Sequence, residues 1–172
     1  MSVFAPEVFL KPALGAGRHK VSREVSFPFR NPRWTDESPR SIVHCRGAKK
    51  VGLHYERRVL DVLSAIYGDK FLPSPVIRYD VGRQSKAAIP DGVLRIGGWV
   101  VVIEIKLSHT ERVWGQLMER YAPLVRALEP GATVRTVEIC RYYNPDLPIP
   151  HTLTQSLHRP AAGGLEVLQW KL

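Results

Sequence analysis

Asp91, Glu104 and Lys106 are the residues of this chain whose types and spacing are best suited to chemistry. The two acids flank Gly97-Gly98, which separates two apolar, β-branched runs and predicts a hairpin closed by a two-residue turn. The register of that hairpin puts Asp91 directly opposite Glu104. Opposed residues on one face have Cβ atoms roughly 4.5–5.5 Å apart, so the two carboxylates repel unless a cation neutralises them. Side chains alternate along a strand, so Lys106 lies on the same face as Glu104.

The first element that can position these groups is a helix predicted from Val51 to about Tyr67. Apolar residues recur there at helical spacing, and Gly68 supplies a stop. Glu56 interrupts one apolar stripe of this helix. Because an unpaired buried carboxylate is costly, Glu56 either pairs with a neighbour such as Arg57 or Arg58, lies at the edge of the stripe, or has a function.

The remaining elements predict an α/β fold. A strand from Val76 to Val81 and a polar turn over residues 82–85 precede the hairpin. The capping-box pattern from Ser108 to Glu111 opens a second helix, which Pro123 should kink or divide. Two further strands are expected: Thr133 to Arg141, and Leu165 to Trp170, which closes the sheet or covers its edge. The order helix, three strands, helix, strand predicts a sheet flanked by helices.

The composition is that of a folded, basic protein. Of its 172 residues, 44% are hydrophobic and 24% charged, close to the globular average. No run approaches the roughly 18 apolar residues of a membrane span, and no signal-peptide pattern is present. We therefore expect a cytoplasmic, intracellular protein, with a nucleoid or viral setting left open, that does not act on membranes. The net charge of +9 favours a polyanionic partner such as nucleic acid.

The positive charge is concentrated near the start of the chain. Residues 1–50 contain ten Lys or Arg against four Asp or Glu, whereas residues 51–172 contain fifteen against twelve. Five prolines interrupt the same stretch. We interpret residues 1–47 as an extended arm with at most short structured pieces, and residues 48–172 as the folded domain. The arm either binds a phosphate backbone or is a solvated or partner-docked tail.

The chain contains two short motifs, Pro90-Asp91 and, after a gap of twelve residues, Glu104-Ile105-Lys106 at the end of an apolar strand. Together these two motifs resemble the PD-(D/E)XK nuclease superfamily. Its restriction-endonuclease-like fold is a mixed sheet flanked by helices with core order αβββαβ, which is the order predicted above. The resemblance covers residues 48–142, and leaves the arm and the C-terminal tail outside it.

The resemblance implies a metal centre. Asp91 and Glu104 would be ligands of Mg²⁺ or Mn²⁺, Glu56 would be an additional ligand, and the carbonyl of Ile105 would complete the shell. Lys106 would position or activate the attacking water. Oxygen ligands of this kind suit Mg²⁺, which keeps several waters and leaves room for a scissile phosphate.

Gln116 and Tyr121 are similar to the Gln and Tyr on the helix after the motif in the branch related to the RecB nuclease; the Holliday junction resolvases are a second related branch. The spacing departs from the RecB pattern, because four residues intervene here instead of three. Gln116 is carried over as a site residue, and Tyr121 is interpreted first as a core residue.

Several charged residues near the motif have alternative interpretations. Arg112, Arg120 and Arg126 on the second helix either contact phosphates or solvate the helix. His109 follows the Glu-x-Lys strand closely, and we assign it to loop solvation or capping rather than to catalysis.

These features predict a metal-dependent nuclease that hydrolyses DNA phosphodiester bonds, as an endonuclease. Two alternatives stay open: a catalytically silent nuclease-fold protein that acts in nucleic-acid binding or assembly, and an RNA-cleaving enzyme. A homodimer or larger assembly is compatible with the sequence.

Overall fold

The computed structural model describes residues 28–36, 48–143, 155–158 and 164–172. Helix α1 spans Ala48–Tyr67 and is followed by a 3-10 turn at Gly68–Lys70. The second helix, α2, covers residues 112–128 in three consecutive segments: α-helical Arg112–Trp114, π-helical Gly115–Tyr121 and α-helical Ala122–Leu128. The strands are β1 Phe29–Thr35, β2 Phe71–Pro73, β3 Val76–Val81, β4 Gln84–Ala88, β5 Gly92–Ile96, β6 Trp99–Ser108, β7 Thr133–Tyr142, β8 Gln155–His158 and β9 Leu165–Trp170.

A six-stranded mixed sheet in the order β2-β5-β6-β7-β9-β8 forms the centre of the molecule. Strands β6, β7 and β9 are parallel, and β2, β5 and β8 join antiparallel. Strand β6 is buried from Val100 to Ile105, as its continuous apolar run predicts for a strand covered on both faces. The residues that follow this run emerge at the carboxyl end of the parallel strands.

The two helices cover opposite faces of the sheet. Tyr55, Val59 and Leu63 of α1 are buried in one core cluster against residues such as Ile103, and the Tyr55 hydroxyl donates to the Trp170 carbonyl at 2.8 Å. The apolar residues of α2 occupy a second cluster on the other face. The predicted α/β class with helices flanking a sheet is confirmed. None of the helices in the described part of the chain is both long and apolar enough to cross a membrane.

A second, three-stranded antiparallel sheet in the order β1-β3-β4 lies on the α2 side. Phe29 and Trp34 of β1 pack against the core cluster beneath α2. Residues 29–35 of the predicted arm are therefore a strand of this small sheet. Residues 1–27 and 37–47 of the predicted arm lie outside the described residues.

Three strand predictions need correction. Five strands, β2 to β6, separate the two helices instead of the predicted three, and the predicted strand Val76–Val81 belongs to the small sheet. The polar turn expected over 82–85 is confined to Gly82-Arg83, and Gln84 already begins β4. Most of β4 is exposed, so it lacks the apolar alternation that identifies a strand. Strand β9 has the predicted bounds, but it lies between β7 and β8 and does not form the edge of the sheet.

The second helix also differs from its prediction. It begins at Arg112, and its N-cap residue Glu111 makes no side-chain capping bond, so the expected capping box is absent at this helix start. Pro123 does not divide the helix, because the segment before it widens into a π-helix. In an α-helix, a proline ring clashes with the carbonyl of the residue four positions earlier. A wider π-helical turn before the proline avoids this clash, which gives a physical reason for the π segment at this place.

Candidate active site

The β5–β6 hairpin has the predicted register. Gly97 and Gly98 adopt φ angles of 55° and 79°, and Ile96 pairs with Trp99 across the turn. The ladder ends where Gly92 pairs with Ile103. Because Asp91 directly precedes Gly92, the chain delivers its carboxylate to the point where β6 continues without a β5 partner.

Asp91 binds the free edge of β6 at that point. Its Oδ2 accepts a hydrogen bond from the Ile105 amide at 2.6 Å, and its own carbonyl accepts one from the Ser74 amide at 2.8 Å. The carbonyl and amide of one strand residue point to the same side, so the Ile105 carbonyl is directed toward the side on which Asp91 lies. The backbone thus holds Asp91 beside the residues predicted to work with it.

Lys106 joins the two carboxylates, as the predicted register requires. Its ammonium group donates to Glu104 Oε1 and lies 3.8 Å from Asp91 Oδ2. Glu104 is 2% exposed, and within the described structure its Oε2 is buried without a hydrogen-bond partner. Asp91, Glu104 and Lys106 therefore converge at the end of β6, and one buried carboxylate oxygen is left unsatisfied.

The electrostatics of this cluster show an excess of negative charge in a poorly solvated place. Burial, followed by the nearby charge of Asp91, raises the pKa of Glu104 to about 7. Burial likewise raises the pKa of Asp91. Burial lowers the pKa of Lys106, but the surrounding carboxylates and the hydrogen bond to Glu104 outweigh it, so that its pKa is raised. A single ammonium group does not fully compensate the acids, which favours the entry of a further cation.

Glu56 of α1 acts on the same cluster from a distance. Burial, followed by the charge of Asp91, raises the pKa of Glu56 to about 7, and Lys106 opposes that shift. The charges that shift its pKa are those of the cluster and not those of Arg57 or Arg58. The structure thus brings Glu56 within electrostatic range of the other three residues, as its place in the helix allowed.

The described side chains do not already form a closed metal cage. Within the described ranges, no three His, Cys, Asp or Glu side chains come together closely enough to hold an ion. The donor chemistry nevertheless fits Mg²⁺ or Mn²⁺, because Asp91 and Glu104 supply oxygen ligands and Glu104 Oε2 lacks a partner. Lys106 now occupies the space between these carboxylates, and a bound ion would share it.

Gln116 and Tyr121 meet near this cluster. Tyr121 is 5% exposed and belongs to the core beneath α2, as predicted. Burial, together with the charges of Glu104 and Asp91, raises its pKa to about 12, and a side-chain hydrogen bond with Gln116 opposes that shift. Tyr121 is thus a core residue whose hydroxyl also lies near the carboxylates. Gln116 lies next to that hydroxyl.

A cleft of about 500 Å³ opens between α2 and the small sheet, with Gln116 in its wall. Its lining carries three cationic side chains, Lys86, Arg112 and Arg120, and one acid, Glu119. Phe29, another lining residue, packs edge-on against Tyr79 with ring centroids 5.1 Å apart. Arg112 and Arg120, for which the sequence left open phosphate contact or simple solvation, lie together in a basic cleft that Gln116 also lines.

Sequence reasoning missed Glu138 and misjudged His109. Glu138 lies next to Glu104 in the parallel register of β6 and β7 and is fully buried. His109 Nδ1 lies 2.5 Å from Glu138 Oε2, so His109 is not a simply solvated loop residue. A signal was present in the sequence, because Glu138 is an acid inside an apolar strand, just as Glu56 is an acid inside an apolar helical stripe.

No protein-family model, curated protein or solved structure matches this chain.

Proposed function

We propose that this protein is a metal-dependent nuclease that hydrolyses phosphodiester bonds in DNA and acts as an endonuclease. The observation that carries the proposal is the convergence of Asp91, Glu104 and Lys106 where β6 extends beyond its β5 partner. The cluster combines a fixed aspartate, a buried glutamate with an unpaired oxygen, and a lysine. Its arrangement on a mixed, helix-flanked sheet supports a restriction-endonuclease-like fold of the PD-(D/E)XK type.

The metal in this proposal is Mg²⁺ or Mn²⁺. Asp91, Glu104 and the carbonyl of Ile105 would hold the ion, and Glu56 would add negative charge or a further ligand from α1. A bound divalent ion supplies Lewis-acid polarisation of the phosphate and lowers the pKa of water. The carboxylates therefore serve as oxygen donors that are preassembled by the hairpin and the Ile105 amide.

Lys106 supplies a positive charge and hydrogen-bond donors to the site. Its raised pKa keeps the ammonium form dominant in the metal-free cluster, and an ammonium group beside the reaction centre donates hydrogen bonds to water or phosphate. A general-base role requires that the lysine first lose its proton, which a nearby cation promotes. Both roles place Lys106 at the attacking water.

Gln116 and Tyr121 support a relationship with RecB-like nucleases. The intervening residues form a π-helix, whose repeat brings residues five apart onto one face. The additional residue relative to the RecB-like spacing is therefore absorbed locally, and Gln116 stays close enough to the Tyr121 hydroxyl to influence its pKa. The departure in sequence does not separate the pair in space.

The basic cleft and the overall charge support a nucleic acid as the substrate. Lys86, Arg112 and Arg120 surround a concave space, and the chain carries a net charge of +9. Cationic side chains along a groove bind the phosphate backbone without selecting a base sequence. DNA is the proposed polymer, and RNA is tested alongside it.

A cleavage assay tests this proposal. The full chain is incubated with linear, circular, single-stranded, branched and RNA substrates in Mg²⁺, Mn²⁺ or chelator. Cleavage of DNA that requires the cation and is lost in Asp91→Asn, Glu104→Gln and Lys106→Ala supports a nuclease. The matched controls are Asp61→Asn and Lys70→Ala, which change exposed residues away from the cluster and should cleave at the wild-type rate.

Three outcomes would contradict the proposal. Wild-type cleavage by the Asp91 or Glu104 variant would remove the metal centre from the reaction. Cleavage of RNA alone would identify an RNA-processing enzyme. Binding of DNA without cleavage under all conditions would identify a nuclease-fold protein that acts in binding or assembly.

A further inference from the structure

Glu138 and His109 form a second ionisable pair next to the carboxylate cluster. Glu138 is 0% exposed, and its Oε2 lies 2.5 Å from His109 Nδ1. In the described structure its other oxygen, Oε1, is buried without a hydrogen-bond partner. The His109 amide donates to the Tyr142 carbonyl at 2.8 Å, and its ring packs edge-on against Tyr143 with centroids 5.1 Å apart. Backbone, carboxylate and aromatic contacts together hold the imidazole in one orientation.

The pair belongs to the same row of residues as the proposed metal centre. Glu104 and Glu138 are register partners on the parallel strands β6 and β7, so their side chains are neighbours on one face. Asp91 approaches Glu104 from the opposite side, that of β5. Glu104 therefore lies between Asp91 and Glu138, and His109 flanks the site on the side away from Asp91.

The imidazole presents its second nitrogen to the surroundings. Its side chain is 29% exposed, and Nδ1 is turned toward the buried carboxylate. Nε2 lies on the opposite edge of the ring, so it is the nitrogen that an incoming ligand can reach. A carboxylate that fixes one imidazole nitrogen and leaves the other free is an arrangement suited to proton transfer.

We propose that His109 is the general acid of the phosphodiester hydrolysis and that Glu138 is the residue that positions it. This inference rests on the proposed nuclease function. As water attacks phosphorus, the bond from phosphorus to the leaving oxygen breaks and its electron pair passes to that oxygen. The leaving oxygen takes the proton from His109 Nε2, and the attacking water releases one proton to solvent. The neutral imidazole then regains a proton from solvent, so the cycle closes without any further reactant.

The competing explanation is that His109 only satisfies the buried carboxylate of Glu138. His109→Asn separates the two explanations, because the Asn amide can donate to Glu138 from a position close to that of Nδ1 but cannot transfer a proton to a leaving group. A structural role predicts that the Asn variant retains wild-type activity. A general-acid role predicts that it is as impaired as His109→Ala.

The experiment compares full-length wild type, His109→Asn, His109→Ala and Glu138→Gln on two sets of oligonucleotides. In one set the scissile linkage is natural. In the other set a bridging sulfur replaces the leaving oxygen. The end groups of the wild-type cleavage products show whether the leaving oxygen is the 3′ or the 5′ oxygen, and the sulfur is placed there. A thiolate departs without protonation. Rates are expressed relative to wild type on the same substrate in Mn²⁺, which cancels the effect of sulfur on cation binding. His54→Ala, on the exposed face of α1, is the matched control.

We expect both His109 variants to lose about 10²–10⁴-fold in kcat on the natural linkage, with KM little changed. The loss should largely disappear on the sulfur-bridged linkage. Glu138→Gln should show a smaller loss that sulfur also relieves, which keeps the test valid should one His109 variant fold poorly.

Either of two results would overturn the assignment. His109→Asn could cleave the natural linkage at the wild-type rate, or its loss could be equal on both linkages. Asp91→Asn makes the source of a failure recognisable. If wild type cleaves, Asp91→Asn does not, and the His109 variants are unimpaired, the general acid is wrong while the nuclease stands. If wild type cleaves neither substrate, the nuclease proposal itself has failed.

Discussion

Gln116 and Tyr121 are five positions apart on a π-helix, and the Gln116 side chain lies close enough to the Tyr121 hydroxyl to oppose the rise in its pKa. In an α-helix, residues three or four apart face each other, so this pair would diverge. The π segment ends two residues before Pro123, which gives a physical reason why the helix widens there. The contact connects the basic cleft, which Gln116 lines, with the Tyr121 hydroxyl beside the carboxylates.

A double-mutant cycle tests this contact. Gln116→Ala and Tyr121→Phe each remove one partner, and Phe keeps the packing of the buried ring. We expect a coupling of about 0.5–1.5 kcal/mol in the free energy of unfolding. We also expect up to about 10²-fold loss of kcat in each single variant, since both position the site. The cycle is measured by urea unfolding and by cleavage.

The control for the core role of Tyr121 is Tyr121→Ala. Removal of the whole buried ring should cost about 3–5 kcal/mol of stability, far more than the Phe variant. Strict additivity of the Gln116 and Tyr121 effects, in both stability and activity, would show that the two side chains do not interact functionally.

The β5–β6 hairpin could be predicted because its information is local. Gly97-Gly98 specifies the turn, the turn specifies the register, and the register brings Asp91, Glu104 and Lys106 together. Turn chemistry and the two-residue period of a strand are both readable from adjacent residues.

Glu138 and His109 could not be predicted in the same way. Their contact depends on the parallel pairing of β6 with β7, two strands separated by the whole of α2. Parallel pairs carry no turn that would fix their register. Strand β4 was missed for a different reason: it is an exposed, polar strand held by pairing with β3, so no apolar alternation marks it.

The raised pKa values of Glu104 and Glu56 predict how stability depends on pH in the metal-free protein. Each carboxyl has a pKa of about 7 in the fold, against 4.5 ordinarily. Between pH 4.5 and pH 7, these carboxyls are therefore protonated in the folded state but ionised in the unfolded state. The free energy of unfolding consequently falls as the pH rises from about 4.5 to about 7. Glu104→Gln should reduce this fall by about 1–3 kcal/mol.

Urea unfolding between pH 5 and pH 8 in chelator measures this effect. Asp61→Asn, which alters an exposed acid on α1, should follow the wild-type curve. Parallel curves for wild type and Glu104→Gln would show that Glu104 keeps an ordinary pKa and that the cluster is better solvated than the structure indicates.

Divalent cations should stabilise the protein through Asp91 and Glu104. An ion that binds only the folded state adds about 1.4 kcal/mol when its free concentration is ten times Kd, which corresponds to a rise of about 3–6 °C in Tm. The rise should be larger at pH 8 than at pH 5.5, because the carboxyls must lose their protons to bind the ion. Thermal unfolding with Mg²⁺ or Mn²⁺ measures it.

Asp91→Asn and Glu104→Gln should each abolish most of this cation-dependent rise in Tm, and Asp61→Asn should preserve it. Because this measurement needs no substrate, it separates metal binding from cleavage. An equal rise in all four proteins would place the bound ions elsewhere on the chain.

The basic cleft predicts a change in the salt dependence of DNA binding. Replacement of Lys86, Arg112 and Arg120 by Ala should reduce the slope of log K against log salt by about 0.9 for each phosphate of duplex DNA that these side chains neutralise in the wild type. The matched control replaces three exposed cations outside the cleft lining, Arg57, Arg58 and Lys70, by Ala. Fluorescence anisotropy measures the two salt slopes, with all variants made in Glu104→Gln protein so that the DNA is not cleaved. Equal slopes in the cleft variant and the control variant would exclude the cleft as the DNA-binding surface.

The small sheet changes how the N-terminal arm must be tested. Removal of residues 1–47 would also remove β1, which pairs with β3 and buries part of Trp34 against the core beneath α2. That truncation should lower Tm as well as DNA affinity, and the two effects would be confounded.

Removal of residues 1–27 leaves β1 in place and deletes four Lys or Arg. We expect the shorter truncation to keep the wild-type Tm and to lower the salt slope by about 0.9 for each phosphate that these residues contact. An unchanged slope with an unchanged Tm would show that residues 1–27 do not bind DNA and would leave the cleft as the source of the electrostatic attraction.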